Sequence, residues 1–148
     1  MAERIELVQP GGALYGAGAS SDLLSIHSGE IRARQSDLVS AGTFPVGHLV
    51  TDVSVGDYDA LLLPGRAVNP DGLRVNPDAV GFVEAFVTTG KPVEAICPGP
   101  WTLIEAGVVL GHEELVIDGQ FTSSRSPADL PTFCPAIVAQ FARASVPA

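Results

Sequence analysis

Apolar positions come in short unbroken blocks rather than in strict alternation. The segment Asp57 to Leu63 ends in a continuous apolar run that Pro64 and Gly65 stop. Such a run suits a strand buried on both faces, as in a parallel sheet. Pro92 to Ile96 reads the same way and leads into Cys97. Between them, Asn76, Pro77 and Asp78 form a helix start with proline in the first turn. Val80, Phe82, Val83, Phe86 and Val87 follow at helical spacing, and Gly90 closes the helix. Pro100 to Ala106 reads as a second helix. Leu115 to Ile117 is a strand, Asp118-Gly119 a hairpin turn and Gln120 to Thr122 its partner. A last helix starts at Ser126 to Asp129. Phe133, Ile137 and Phe141 supply its apolar face, Pro131 falls in its first turn, and Pro135 is expected to kink it.

The first third is less regular. Ser21 to His27 reads as a strand, Ser28 to Glu30 as a turn and Ile31 to Ala33 as a short return. Gln35 to Gly42 is loop-like, and Phe44 to Val46 and Leu49-Val50 suggest short extended pieces. Gly11, Gly12, Gly16 and Gly18 lie where a helix is expected, yet each interior glycine costs about 1 kcal/mol there. This stretch is therefore read as frayed or as a loop. It lacks the spacing of a phosphate-cradling loop, which argues against a flavin or nucleotide site. The whole is an α/β pattern with a mainly parallel sheet. With no repeat or linker, one domain over residues 1–148 is expected.

Composition narrows the function classes. Of 148 residues, 46% are hydrophobic, and the mean hydropathy of +0.30 argues against disorder. No apolar run approaches a bilayer span, and Met1 to Glu6 does not read as a signal peptide, so a cytoplasmic location is expected. Net charge is -9, from 17 acidic and 8 basic residues, and Lys91 is the only lysine. Neither a nucleic acid nor an anionic membrane is an expected partner. The cysteines, Cys97 and Cys134, read as free thiols. There is no CxxC pair, and His112-Glu113-Glu114 reads as a solvated turn, so neither a metal nor a cofactor is expected.

The chemistry concentrates at Cys97. It sits between a strand and a helix, where a sharp turn exposes a side chain and a helix N-terminus stabilises a thiolate. Pro98 follows, and proline has no N–H to offer a reacting oxyanion. Cys134 shares a predicted helix with Phe133 and Ile137 and reads as a core thiol. Trp101 and Phe82 read as core, and His27, His48 and His112 as surface positions.

Several segments together resemble the DJ-1/PfpI superfamily, in particular its PfpI-like protease and deglycase branch. They are Asp57 to Gly65, Gly90 to Val93, Ala95 to Cys97, Gly99 to Trp101 with Leu103 to Gly107, Val116 to Gly119, and Thr122 to Arg125. Asp129 to Pro131 with Phe133 and Cys134 also fits. The resemblance implies a flavodoxin-like three-layer sandwich with a mainly parallel sheet. It further implies that the family's first strand, and one later strand and helix segment between Gly111 and Glu113, are lacking. It carries the reactive cysteine to Cys97 and the family's glutamate to Glu3. Pro98 stands where that branch has histidine, and Arg66, after Gly65, where a second glycine would help bind an oxyanion. With Gly99 these residues would line the pocket. The implied activity is a cysteine-dependent hydrolase, peptidase or deglycase, acting on an amide or small carbonyl adduct with impaired turnover. The alternative is a non-catalytic module for assembly or thiol sensing. A small-molecule or peptide substrate and a homo-oligomer are the expected partners.

Overall fold

The structure, a computed structural model, describes residues 13–34, 40–64, 68–96, 99–108 and 115–144. Among the described residues the elements run in chain order β1 (Leu24–Ser25), β2 (Glu30–Arg34), β3 (Ser40–Pro45), β4 (His48–Leu49), β5 (Leu61–Leu63), α1 (Val68–Arg74), α2 (Pro77–Thr88), β6 (Val93–Ile96), α3 (Pro100–Glu105), β7 (Val116–Asp118), β8 (Phe121–Ser124) and α4 (Leu130–Ala144), with a further helical turn at residues 13–16. The main sheet has the order β5-β6-β8-β7. β6 pairs in parallel with both β5 and β8, while β7 and β8 form an antiparallel hairpin. β1 and β4 make a separate parallel pair, and β2 and β3 a separate antiparallel hairpin.

The register fixes two faces. Leu61, Val93 and Phe121 lie side by side across the sheet, as do Leu62, Glu94 and Thr122 one position on. Side chains alternate along a strand, so Leu61, Leu63, Val93 and Ala95 share one face and Leu62, Glu94 and Ile96 the other. The first face packs on Val83 and Phe86 of α2 and Leu103 of α3. The second packs on Phe133 and Ile137 of α4 and on Leu14. Every side chain of β6 is buried, as expected of a central parallel strand covered on both faces. The three-layer α/β sandwich is therefore present.

Local chemistry explains the element ends. The Asn76 side chain accepts from the amides of Asp78 and Ala79 at 3.0 Å each, opening α2 with Pro77 in its first turn; such a cap contributes about 1 kcal/mol. Gly90, at φ 73°, follows its end in the left-handed conformation that glycine adopts without strain. Lys91 then reaches back. Its ammonium donates to the carbonyls of Val55 (3.1 Å) and Tyr58 (2.6 Å), fastening the short 3₁₀ turn Val55–Asp57 that leads into β5.

Several boundaries differ from the sequence reading. The strand expected over Ser21 to His27 is confined to Leu24–Ser25, and Ile31 belongs to a hairpin with β3 that begins at Ser40. Residues 13–16 are helical despite the glycines, because Leu14 is buried against Ile96 and Phe133; packing outweighs propensity. The two-residue loop of the β7–β8 hairpin is Gly119-Gln120, one position later than expected, because Asp118 pairs with Phe121. Helix α1 escaped the periodicity, since it contains Pro70 and Gly72; proline there falls in the first turn, where no N–H is needed. Helix α4 runs continuously past Pro135. The carbonyl that loses a donor belongs to Pro131, and both prolines are exposed to water. The direct passage expected from Gly111 to Glu114 lies outside the described residues. Among the described residues no helix is long and apolar enough to cross a membrane.

Candidate active site

Strand β6 ends at Ile96 and α3 begins at Pro100, so the chain turns from strand to helix within three residues. Gly99 makes the turn tight. Its amide donates to the carbonyl of Ile96 at 2.6 Å. A Cβ at Gly99 would stand 2.7 Å from that oxygen and 2.8 Å from the carbonyl oxygen of Leu63. No side chain fits there, so glycine is needed for close backbone approach rather than for a positive φ. The contact also brings the C-terminal end of β5 against the elbow, where open parallel sheets bind their ligands.

Of the expected site residues, Gly99 is therefore at the elbow. Cys97, Pro98, Gly65, Arg66 and Glu3 lie outside the described residues. The framework on each side of Gly65-Arg66 and of Cys97-Pro98 is nonetheless defined. Ile96 and Leu63 are buried at the ends of adjacent strands, and Gly99 locks the helix onto both.

The end of β8 completes this edge of the sheet. Ser124, paired with Ile96, is buried, and its hydroxyl donates to the carbonyl of Ser126 at 3.3 Å. Arg125 forms a two-bond ion pair with Asp129, at 3.0 and 3.3 Å, and the Ser126 hydroxyl donates to Asp129 at 3.0 Å. The hydrogen bond from Arg125 leads in holding the Asp129 carboxyl below its usual range. This cluster immediately precedes α4.

Burial shifts an acid and a thiol, Glu94 and Cys134, in the same direction. Glu94, three residues before Cys97, is fully buried, and neither carboxyl oxygen has a hydrogen-bond partner. Burial pushes its carboxyl up to about 9, so it is protonated and neutral at pH 7. The apolar reading of Pro92 to Ile96 passed over it; a single Glu inside a continuous strand is the signal that marks it. Cys134 is half-buried against the α4 core, and burial pushes its thiol up. It is an inert packing thiol, as read from the sequence. His27 and His48 are exposed, while His112 lies outside the described residues. Phe82 packs on the α2 core. Trp101 does not: it is 42% exposed, with the Arg74 guanidinium 5.9 Å from its ring.

A parallel α/β sandwich with a strand-to-helix elbow at the carboxyl end of its central strand defines a flavodoxin-like protein. The DJ-1/PfpI family model matches residues 1–114, and the chain belongs to that family. The deglycase PfpI of Pyrococcus furiosus is 32% identical over 149 aligned positions, covering 86% of each chain. An uncharacterised Archaeoglobus fulgidus protein is 38% identical over 104 residues, and the match spans 61% of its length. Among solved structures, a two-domain protein of Anabaena variabilis with DJ-1/ThiJ/PfpI-like and ferritin-like domains superposes with a TM-score of 0.82 at 26% identity. That match covers 97% of this chain and 46% of the other.

Proposed function

We propose that the chain is a cysteine-dependent hydrolase of the deglycase or peptidase kind, with Cys97 as nucleophile and Glu3 moving the proton. The observation that carries this reading is the elbow locked by Gly99 between β6 and α3, directly flanking Cys97. The relationship to a named deglycase supports the reaction class. The substrate would be an amide or a small carbonyl adduct, held near Gly65 and Arg66. Turnover would be weak. Pro98 has no amide to donate to an oxyanion, a loss of ~3 kcal/mol in transition-state stabilisation. The adjacent histidine base of the PfpI branch is absent, which removes roughly another hundredfold.

The test is release of lactate from a methylglyoxal-treated peptide. Slow turnover, abolished in Cys97→Ser and raised at least tenfold in Pro98→His, is the expected result. Turnover unchanged in Cys97→Ser would sink the proposal.

A second reading is a non-catalytic family member acting in assembly or thiol sensing, and one observation favours its assembly form. Val75, Trp101 and Ile104, on or beside the helices next to the elbow, are 69%, 42% and 56% exposed. Light scattering decides this: a monomer at high concentration removes the assembly form.

A further inference from the structure

We propose that α4 is a movable cover over Glu94, and that loss of the Glu94 proton to water opens it while the opposite helical layer stays closed. The inference stands apart from the chemistry proposed for Cys97.

Glu94 sits in the middle of the main sheet. Its strand, β6, is hydrogen-bonded in parallel to β5 on one side and to β8 on the other. The side chain is fully buried, and both carboxyl oxygens lack a partner. The register puts Leu62 and Thr122 beside it, one strand spacing of about 4.8 Å to each side. Leu62 has no polar side-chain atom to offer. The Thr122 hydroxyl is committed to the Gln140 side chain of α4. The hydroxyl at the neighbouring register position thus fastens the helix, not the carboxyl.

No charge offsets this burial among the described residues. The face is covered by Phe133, Ile137 and Gln140 of α4 and by Leu14. Neither β5 nor β8 carries an ionisable side chain. On or beside α4, the Cys134 thiol is half-buried and pushed up by burial, Asp129 is paired with Arg125, and Arg143 is exposed. Tyr15, next to Leu14, is exposed as well. Burial is the cause of the upward shift of the Glu94 carboxyl, with no contribution from a neighbouring charge.

An ionised carboxyl at this place must reach water, and the two ways out differ in cost. Moving β6 breaks ladder hydrogen bonds to both β5 and β8. Moving α4 breaks none of them. The helix is held by the burial of Phe133 and Ile137 and by the Thr122–Gln140 and Gln140–Gln120 hydrogen bonds. It is therefore the part that yields, and its release frees the Thr122 hydroxyl beside the carboxylate. The opposite layer packs Val93 and Ala95 on α2 and α3 through a wholly apolar cluster, so ionisation gives it no reason to open. Ile96, the last residue of β6, shares the α4 cluster, so the opening also loosens the packing beneath the elbow.

The closed form holds the carboxyl at about 9, and the solvated open form at about 4.3. Between those values opening becomes up to tenfold easier with each pH unit.

The experiment follows amide hydrogen exchange of the full chain from pH 5 to pH 9, each rate referred to that of an unstructured peptide at the same pH. The amides of Ile137 and Val138 in α4 should be less protected than those of Val83 and Phe86 in α2, with the α4 protection falling up to tenfold per pH unit. Glu94→Gln keeps the shape and cannot ionise, so the pH slope in α4 should vanish. Glu94→Met gives the same readout where the Gln variant does not fold. Equal protection of α4 and α2 at every pH would overturn the proposal, because Glu94 would then ionise only on global unfolding. So would a slope in α4 that survives in either variant.

Discussion

The two faces of strand β6 carry different chemistry a single residue apart. On one, Val93 and Ala95 meet Leu63, Val83, Phe86 and Leu103 in a wholly apolar cluster. On the other, Glu94 and Ile96 share a layer with Thr122 and Gln140, all four buried. The second face places a satisfied and an unsatisfied polar group on neighbouring strands. The Thr122 hydroxyl hydrogen-bonds the Gln140 amide oxygen, and the Gln140 nitrogen donates to the Gln120 carbonyl at 2.9 Å. Glu94, opposite Thr122 in register, has no such partner. The first face holds the sandwich together by burial alone; the second mixes burial with polar groups whose worth depends on whether each is paired.

The largest effect is expected on the apolar face. Phe86 is fully buried at its centre, and Phe86→Ala should lose about 3–5 kcal/mol, the transfer term plus the cavity. Urea unfolding measures it. A loss below ~1.5 kcal/mol would mean that this face is not the main source of stability.

Glu94 should give an effect of opposite sign. Glu94→Met keeps the length and removes two unpaired oxygens, so the variant should be more stable by ~1–3 kcal/mol where the carboxyl is protonated in both states, and by more at neutral pH. The pH dependence sharpens this. The folded-state carboxyl titrates at about 9 and the unfolded one at about 4.3. Between those values the native state holds the extra proton, so stability falls as pH rises, by at most ~1.4 kcal/mol per unit. Below the unfolded value the penalty from titration vanishes; above about 9 it levels off. The gap between the variant and the parent should therefore widen from pH 5 to pH 9. A gap independent of pH would show that Glu94 is ionised or solvated in the native state.

How much of this was legible in the sequence follows from the range of each interaction. Helix α2 was readable from Asn76 to Gly90, because its cap, its periodicity and its terminating glycine are all local. Strand β6 and the elbow were equally clear, since Pro92 to Ile96 is apolar but for Glu94 and Gly99-Pro100 opens a helix. The segment resemblance then identified the family. What escaped depends on distant partners. Glu94 is unusual only because nothing on β5, β8 or α4 meets its carboxyl. Lys91 is a clamp because Val55 and Tyr58, more than thirty positions away, turn their carbonyls toward it. The helical turn at residues 13–16 exists because Leu14 finds Phe133. Of the candidate site residues, Gly99 lies among the described residues, and its contacts with Ile96 and Leu63, which no local pattern announces, fix the elbow.

The smallest effect tests whether pairing makes the second face tolerable. Thr122→Val has nearly the same shape and removes only the hydroxyl. The Gln140 oxygen then loses its donor inside the core, and the expected loss is ~1–2 kcal/mol. Gln140→Leu alone removes both that acceptor and the donor to the Gln120 carbonyl, with a similar loss. In the double variant the Thr122–Gln140 bond is absent together with both of its ends, so the losses should not add. The double variant should be more stable than the sum of the two single losses implies by about 1 kcal/mol. Strict additivity would mean that the pair contributes nothing as a pair. The contrast with Glu94 would then rest on desolvation of the carboxyl alone, not on the lack of a partner.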